Sequence, residues 1–549
     1  MNRKYNVLFV YPAVAKKGEY YAFPLGIAYV YAYAEQNNIS CYSLNLNHCE
    51  NPETALSDSI KKNNIDVVAS GTISFFWKEI EYVFQTVKKI KPDIITIAGG
   101  SIITSTPELA LKNLPVDYGV LGEGEITFTE LVNALNNGVE LENVNGIIYR
   151  DSSGKLKKTS ERKPIMNLDE LPFPDYSAFD FEKWLDIDWV LQPSIKGIYY
   201  DYNQVKRLAE IIGSRSCPFA CTFCYHPLGK IYRQRSVENI FYEIDMLIKK
   251  YDINLLNFLD ELFSLDKQRI EDISVKISKY GIKWMAQWRV NEVTEDIMDK
   301  IKKSNVFLIG LGVESLDDTV LKSMKKKITR EQIITALSIA EKAGVRTGSN
   351  LIFGDVEETE SSAYFSLNWM LKQKQYDFAL DFIMAIPDSD LYKFANEKEI
   401  IKNELNHIKE RFPIINLSKI PNKKFEKLKR KVAFLNITLN HKVSAEVVKS
   451  IKTEETYLNR QIYSFDVKCP LCGKVSNYKF YMFSKKPVTP VLCKYCYKVL
   501  KIKTGAVFYE EYNFIKAYLF LFLLLLYHLY LYKMQFFKKI FVYIKKKNK

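Results

Sequence analysis

The chain of 549 residues is 47% apolar and 14% aromatic, which excludes wholesale disorder and points to two to four domains rather than one ordinary core. Its formal charge of +14 would suit nucleic acid if it were spread over the surface. It is not: residues 421–549 hold 27 Lys+Arg against 7 Asp+Glu, while residues 1–420 hold 51 against 57, so the basic character belongs to the C-terminal quarter alone.

Arg3 and Lys4 precede an apolar run at 7–10 that is too short for a secretory leader and reads as a first strand. Over residues 1–150, apolar runs at 7–11, 41–46, 67–70, 94–98 and 118–121 alternate with helical patterns beginning near Leu25, Thr54, Trp77, Pro107 and Glu125. Buried, non-alternating strands between helices predict an α/β domain with a doubly wound, Rossmann-like or flavodoxin-like parallel sheet. Such sheets bind ligands beyond the carboxyl ends of their strands. At those ends stand Pro24-Leu25-Gly26, Ser70-Gly71-Thr72, Gly99-Gly100-Ser101 and Gly122-Glu123-Gly124-Glu125. Glycines there let a large, flat or phosphate-bearing ligand approach the backbone, although glycine after a parallel strand is also ordinary turn chemistry.

Residues 146–154 read as a hairpin turning at Asp151-Ser-Ser-Gly154, and Pro172 and Pro174 forbid a helix, so residues 151–205 are expected to be linker. From 206 to 400 the alternation returns, with strands expected at 208–212, 255–259, 283–288, 306–312, 347–353 and 378–386. Six units cannot close an eight-unit barrel but can form a partial one whose site lies at the strand C-termini. Asp260 and Glu261 end the second strand, Arg289 the third, Glu314 and Ser315 the fourth, and Gly354 the fifth. Such a rim suits a zwitterionic ligand with an amine, a carboxylate and a ribose. The competing reading gives Asp260 or Glu261 to a helix cap and Arg289 to a structural pair.

Just after the first barrel strand, Cys217, Cys221 and Cys224 stand at x3 and x2 spacing. Four cysteines usually close an iron-sulfur cluster; three leave an iron open, and an open metal position marks a place where a small molecule binds and reacts. The clustered cysteines of this chain fit metal binding in a reducing cytoplasm better than disulfides.

The stretch Cys217-x3-Cys221-x-Phe223-Cys224, with Tyr232-Arg233-Gln-Arg235-Ser236, Phe258-Leu-Asp260-Glu261, Gly310-Leu-Gly312-Val-Glu314-Ser315 and Asn350-Leu-Ile-Phe353-Gly354, resembles the cobalamin-dependent branch of the radical S-adenosylmethionine (radical SAM) superfamily. Residues 4–150 resemble the cobalamin-binding domain that precedes its barrel. The resemblance implies a 4Fe-4S cluster on Cys217, Cys221 and Cys224, with S-adenosylmethionine on the open iron. It places Phe223, Asp260, Glu261, Arg289, Glu314, Ser315 and Gly354 around that cofactor, and cobalamin against the four glycine-edged loops. His48 lacks the Asp-x-His-x-x-Gly signature of cobalt-ligating histidines, since Leu46 and Asn51 stand at the flanking positions, and is expected to be a loop residue. Two departures stand out: Ser216 where the branch often has Gly, and Ile386-Pro387-Asp388-Ser389 where it usually has Pro-Gly-Thr.

The chemistry implied is cleavage of S-adenosylmethionine to a 5'-deoxyadenosyl radical, with electrons from a reductant such as flavodoxin or ferredoxin, and methylation of an unactivated carbon through cobalamin. The runner-up is a radical rearrangement, cyclisation or oxidation in which cobalamin carries electrons or is absent. From a different class, the chain could be a ligand or redox sensor.

Residues 401–465 read as a helical extension or linker. Cys469-Pro-Leu-Cys472-Gly473 and Cys493-Lys-Tyr-Cys496 then read as a small zinc ribbon over 466–505 with structural zinc, a second iron-sulfur cluster being the alternative. Its basic setting keeps RNA open as a partner, but no aromatic-and-basic recognition pattern accompanies it, so nucleic acid is not the expected one. In 506–549, the apolar run 517–532 would make a helix about 24 Å long, short of a membrane's roughly 30 Å core. Seven lysines follow it and four precede it from Lys498 on. This predicts a tail on the cytoplasmic face of the membrane, and with it a small-molecule or lipid-linked substrate.

Overall fold

The computed structural model describes residues 4–16, 19–187, 207–438, 442–457, 460–481, 489–496 and 498–502. Residues up to 436 fall in one compact unit, apart from 197–202, and those from 437 on in a second. The first unit opens with a seven-stranded sheet: β1 (Asn6–Tyr11), β2 (Ser40–Asn45), β3 (Val67–Gly71), β4 (Ile95–Gly99), β5 (Tyr118–Val120), β6 (Ile147–Arg150) and β7 (Leu156–Lys158), in the order β2-β1-β3-β4-β5-β6-β7. The first five are parallel, and the reversal of order between β1 and β3 makes the crevice where such sheets bind ligands. Strands and helices fall where the apolar runs predict them. The second helix, Pro52–Lys62, shows why locally: Asn51 accepts from Thr54 N at 3.1 Å as the cap, and Pro52 takes the first position, where a missing N–H costs nothing.

The hairpin at 146–158 is formed as predicted, but it is not linker. β6 pairs antiparallel with β5, and β7 with β6. Ile147, Ile148 and Tyr149 are buried, and only a sheet edge gives a hairpin with that much apolar surface a place to bury it.

The second part of this unit is six parallel strands in chain order: β8 (Leu208–Ile211), then β11 (Leu255–Phe258), β12 (Lys283–Trp288), β13 (Val306–Glu314), β14 (Thr347–Phe353) and β15 (Asp377–Phe382). Between β8 and β11 a small antiparallel pair, β9 (Ser214–Arg215) and β10 (Arg233–Gln234), brackets the cysteine loop. The fourth strand runs on to Glu314, and the sixth stops at Phe382, short of the expected 386.

The expected helical extension is only partly helical. The helix Glu404–Lys409 returns to the first sheet, where Ile408 and Phe412 join its core and Lys409 pairs with Glu81 at 2.8 Å. The helix Asn422–Thr438 packs Phe425 on Phe382. Among the described residues from 443 to 502 the chain is mostly sheet: β17 (Glu446–Tyr457), β18 (Arg460–Lys468) and β19 (Val475–Tyr481) form an antiparallel sheet, and β16 (Val443–Ser444), β20 (Thr489–Leu492) and β21 (Val499–Ile502) a mixed one in which β21 runs parallel to β16 and antiparallel to β20. The long hairpin is mostly polar, with Ile462, Phe465 and Val467 the buried residues on β18 among those described, too sparse a pattern to read as strand. Among the described residues no helix is long and apolar enough to cross a membrane; the tail at 506–549 lies outside them.

Candidate active site

The cysteine loop is braced at its root by Asp260. Its Oδ1 accepts from Gly213 N at 2.6 Å and its Oδ2 from the Ser214 hydroxyl at 2.7 Å. Arg269 donates to Gly213 O at 2.8 Å, and a Cβ on Gly213 would stand 2.7 Å from Arg269 Nη2, so glycine is what fits between the pair. Burial raises the Asp260 carboxyl pKa while Arg269 opposes the rise. Asp260 is thus a buried brace and not the ligand contact that was expected. Two more of the expected rim residues have partners within the protein. The Ser315 hydroxyl is buried, accepting from Asp317 N at 3.2 Å. Gly354 N is occupied by Glu358 Oε2 at 2.6 Å, a carboxyl that burial pushes up to about 8.

The loop itself is laced to two of the helices that follow barrel strands, Asp318–Ser323 and Asp390–Glu397. Thr222 N donates to Met324 O, and Leu391 N donates to Thr222 O, both at 3.1 Å. Cations gather beside the thiols. The Arg289 guanidinium lies 3.5 Å from the centroid of Phe219 and donates to Lys326 O at 2.6 Å. Lys326 Nζ donates to Glu314 Oε1 at 3.0 Å and stands 5.7 Å from the centroid of Phe223. Glu314 has a left-handed backbone, φ +65°, where the β13–β14 register breaks; the break puts its carboxylate on Lys326.

Electrostatics follow from this crowding. The Cys221 thiol falls to about 6, first through its hydrogen bond with Cys224, then against burial, with Lys326 and Arg289 adding. Cys224 rises as the donor of that pair and through burial, and Cys217 rises chiefly through burial. Burial works to lower the Lys326 pKa, and Glu314 with the two thiols reverses it, so the ammonium stays charged. Three thiols with cations beside them fit an anionic iron-sulfur group.

Glu261 remains at the rim, its Oε2 3.6 Å from His226 Nδ1. Neither ring nitrogen of His226 has a hydrogen-bond partner among the described residues, an unmet need that suits a bound ligand. Sequence reasoning missed both His226 and Lys326. Lys326 sits in the run Lys325-Lys326-Lys327, which reads as a solvated face, and no local signal singles out its middle member.

The first domain's loops divide. At Gly26 and Gly122 a Cβ would meet nothing within 4 Å, which leaves room for a ligand against the backbone. Gly71 and Gly100 serve the protein instead: a Cβ at Gly71 would lie 2.7 Å from Gly99 O, and one at Gly100 2.6 Å from Thr72 O. Leu25 is buried, and the Ser70 hydroxyl donates to Val10 O at 2.6 Å. Ser101 accepts from Ser74 N at 3.2 Å. Glu123 and Glu125, expected on the ligand, are buried against Arg215 and Arg233, which is a correction. His48 Nε2 lies 2.9 Å from the Tyr21 hydroxyl, and burial lowers its pKa.

In the second unit the sulfurs of Cys469, Cys472, Cys493 and Cys496 lie within 4.8 Å of one another, with Cys469–Cys496 and Cys472–Cys493 at 3.7 Å. Four ligands at about 2.3 Å in a tetrahedron stand about 3.8 Å apart, so the group has the size of a single-ion site; a cubane would hold its thiolates on separate corners, farther apart. Gly473, at φ +72°, closes the first knuckle by donating to Cys469 O at 2.9 Å.

Residues 11–132 match the B12 binding domain family and residues 211–368 the radical SAM superfamily. An uncharacterized methyltransferase of Pyrococcus horikoshii is 31% identical over 393 residues, covering 70% of this chain and 81% of the relative. The anaerobic magnesium-protoporphyrin IX monomethyl ester cyclase of Rubrivivax gelatinosus is 28% identical over 56% of this chain and 54% of its own length. The fold is that of the radical S-adenosylmethionine methyltransferase TsrM from Kitasatospora setae, solved with cobalamin and a 4Fe-4S cluster. That likeness has a TM-score of 0.58 at 16% identity, over 73% of this chain and 76% of the other. The paired domains, the three-cysteine loop and these relatives agree: the chain belongs to the radical SAM superfamily, in the branch that carries a B12-binding domain ahead of the barrel.

Proposed function

We propose that this enzyme transfers a methyl group from S-adenosylmethionine, by way of cobalamin, to an unactivated carbon of a small molecule. Bound, the cluster supplies the electron that splits S-adenosylmethionine and cobalamin carries the methyl group. The protein's part is to hold, orient and exclude water. Cys217, Cys221 and Cys224 would hold the cluster. Lys326 and Arg289 would meet the carboxylate of S-adenosylmethionine, Glu261 the donors of its amine or ribose, and Phe223 its adenine. Gly26 and Gly122 would admit cobalamin against the backbone.

The observation that carries this reading is the pair of contacts that Glu123, beside Gly122, makes with Arg215 at 2.7 Å and Arg233 at 2.6 Å, which sets the two short strands bracketing the cysteine loop against the first domain's ligand edge. Anaerobic reconstitution with iron, sulfide, hydroxocobalamin and a flavodoxin or chemical reductant tests it. The protein should bind both cofactors and form 5'-deoxyadenosine and S-adenosylhomocysteine, and Cys221→Ala should lose the former. Absence of both products under every reductant would sink the proposal.

The single-ion site at Cys469, Cys472, Cys493 and Cys496 supports structural zinc. Association of residues 506–549 with an anionic membrane surface rests on their sequence alone; cell fractionation with and without those residues decides it, and an equal soluble pool in both defeats it.

A further inference from the structure

Ser216 occupies a left-handed backbone position, φ +69°, where glycine is free and a side chain is strained. Its hydroxyl has two partners. It donates to Leu228 O at 3.1 Å, joining the two ends of the segment that contains all three cysteines. It accepts from Arg233 Nη2 at 3.1 Å, and that bond leads out of the loop. Arg233 Nη1 donates to Glu123 Oε2 at 2.6 Å; Glu123 Oε1 accepts from Arg215 Nη1 at 2.7 Å, and Arg215 Nη2 reaches Glu125 Oε1 at 2.6 Å. Arg215 precedes Ser216 and faces Arg233 across β9 and β10, and its guanidinium lies 5.2 Å from the centroid of Tyr29. The four charged side chains are at most 8% exposed. A buried network of this kind has one satisfied arrangement and no partial one. At its far end, Glu123 adjoins Gly122, one of the two ligand-loop glycines with open space where a Cβ would stand.

We infer that Ser216, Arg233 and Glu123 form a positioning relay that fixes the cysteine loop against the loop after β5 of the first domain, and so sets the spacing between the two cofactor sites. The second half of that statement rests on the proposed place of cobalamin; the relay itself is made of polypeptide. It also gives the strained serine a reason to stand where glycine would be easier.

The test uses the full-length protein with Ser216→Gly, which removes the hydroxyl and relieves the strain, and Glu123→Gln, which breaks the far end. Amide hydrogen exchange is read on the apo-protein, then iron and hydroxocobalamin content on the reconstituted one. In both variants exchange across residues 217–228 should quicken by about tenfold or more while the barrel strands stay protected. Ser216→Gly should keep its melting temperature and its iron. Unchanged protection in Glu123→Gln overturns the relay, because no signal then crosses from the first domain. Global loss of protection or of iron in Ser216→Gly overturns it too, reducing Ser216 to a folding residue. Failure of the wild type to hold hydroxocobalamin would remove the cofactor-spacing claim while leaving the exchange result to decide the relay.

Discussion

Tyr20 and Glu210 meet where the first domain is pressed on the barrel: the tyrosine hydroxyl donates to Oε1 at 2.6 Å, and Phe23 N donates to Oε2 at 2.9 Å. Glu210 is wholly buried on β8, and burial raises its carboxyl to about 7 from 4.5. A raised carboxyl contributes stability that is fully present below about pH 4.5 and is lost as pH climbs to 7, on the order of 3 kcal/mol at most. Glu210→Gln keeps an acceptor there and cannot ionise. Its denaturation midpoint should gain on the wild type across pH 4.5 to 7 and hold the lead above that; parallel profiles would show that the carboxyl is not displaced.

Lys326 and Glu314 form a buried pair at 3.0 Å. Lys326→Met should cost about 3–5 kcal/mol in urea unfolding, because it strands the carboxylate. The double variant Lys326→Met/Glu314→Gln should recover most of that. Additive losses would mean that the two side chains do not depend on each other.

Two glycines separate ligand space from packing. Gly71→Ala should destabilise by about 1–3 kcal/mol, since its Cβ would press on the backbone at Gly99. Gly26→Ala, in a helical position with open space, should leave stability equal or up to about 1 kcal/mol higher. It should nonetheless weaken retention of hydroxocobalamin, read by visible absorbance after gel filtration. Equal retention by Gly26→Ala and wild type would move the ligand away from this loop.

Cys472→Ser should remove one equivalent of zinc by elemental analysis and leave iron unchanged. Zinc binding to such small sites is worth on the order of 10 kcal/mol. Residues 443–502 should accordingly become protease-sensitive in the variant, with the first unit intact. Simultaneous loss of iron would show that the two metal sites are not independent.

Much of this architecture was legible in the sequence, because parallel strands buried on both faces leave short apolar runs. All eleven expected strands are present at close to the expected positions. The cysteine spacings were equally plain. What failed was the assignment of polar residues near the site. Glu123 and Glu125 stand beside ligand-edge glycines in sequence and Asp260 just past a barrel strand, yet each is consumed by a partner far along the chain: Arg215 and Arg233, or Gly213 and Ser214. Spacing along a chain cannot tell a carboxylate aimed at a ligand from one aimed at an arginine 90 residues away. The polar hairpin β17–β18 was missed for a different reason, having too little apolar alternation to announce itself.

The reach of those partners also sets an order of events during synthesis. Glu123 and Glu125 lie 92 and 90 residues before Arg215. At roughly 5–20 residues per second, the nascent first sheet waits some seconds, on the order of 5–20, with two carboxylates unmatched. Its edge is complete, but its core still lacks Ile408 and Phe412 and the face that receives the barrel stays wet. Iron can meet a correctly held loop only after that face has been covered, so cofactor loading is placed late, behind a docking step that the ribosome itself delays.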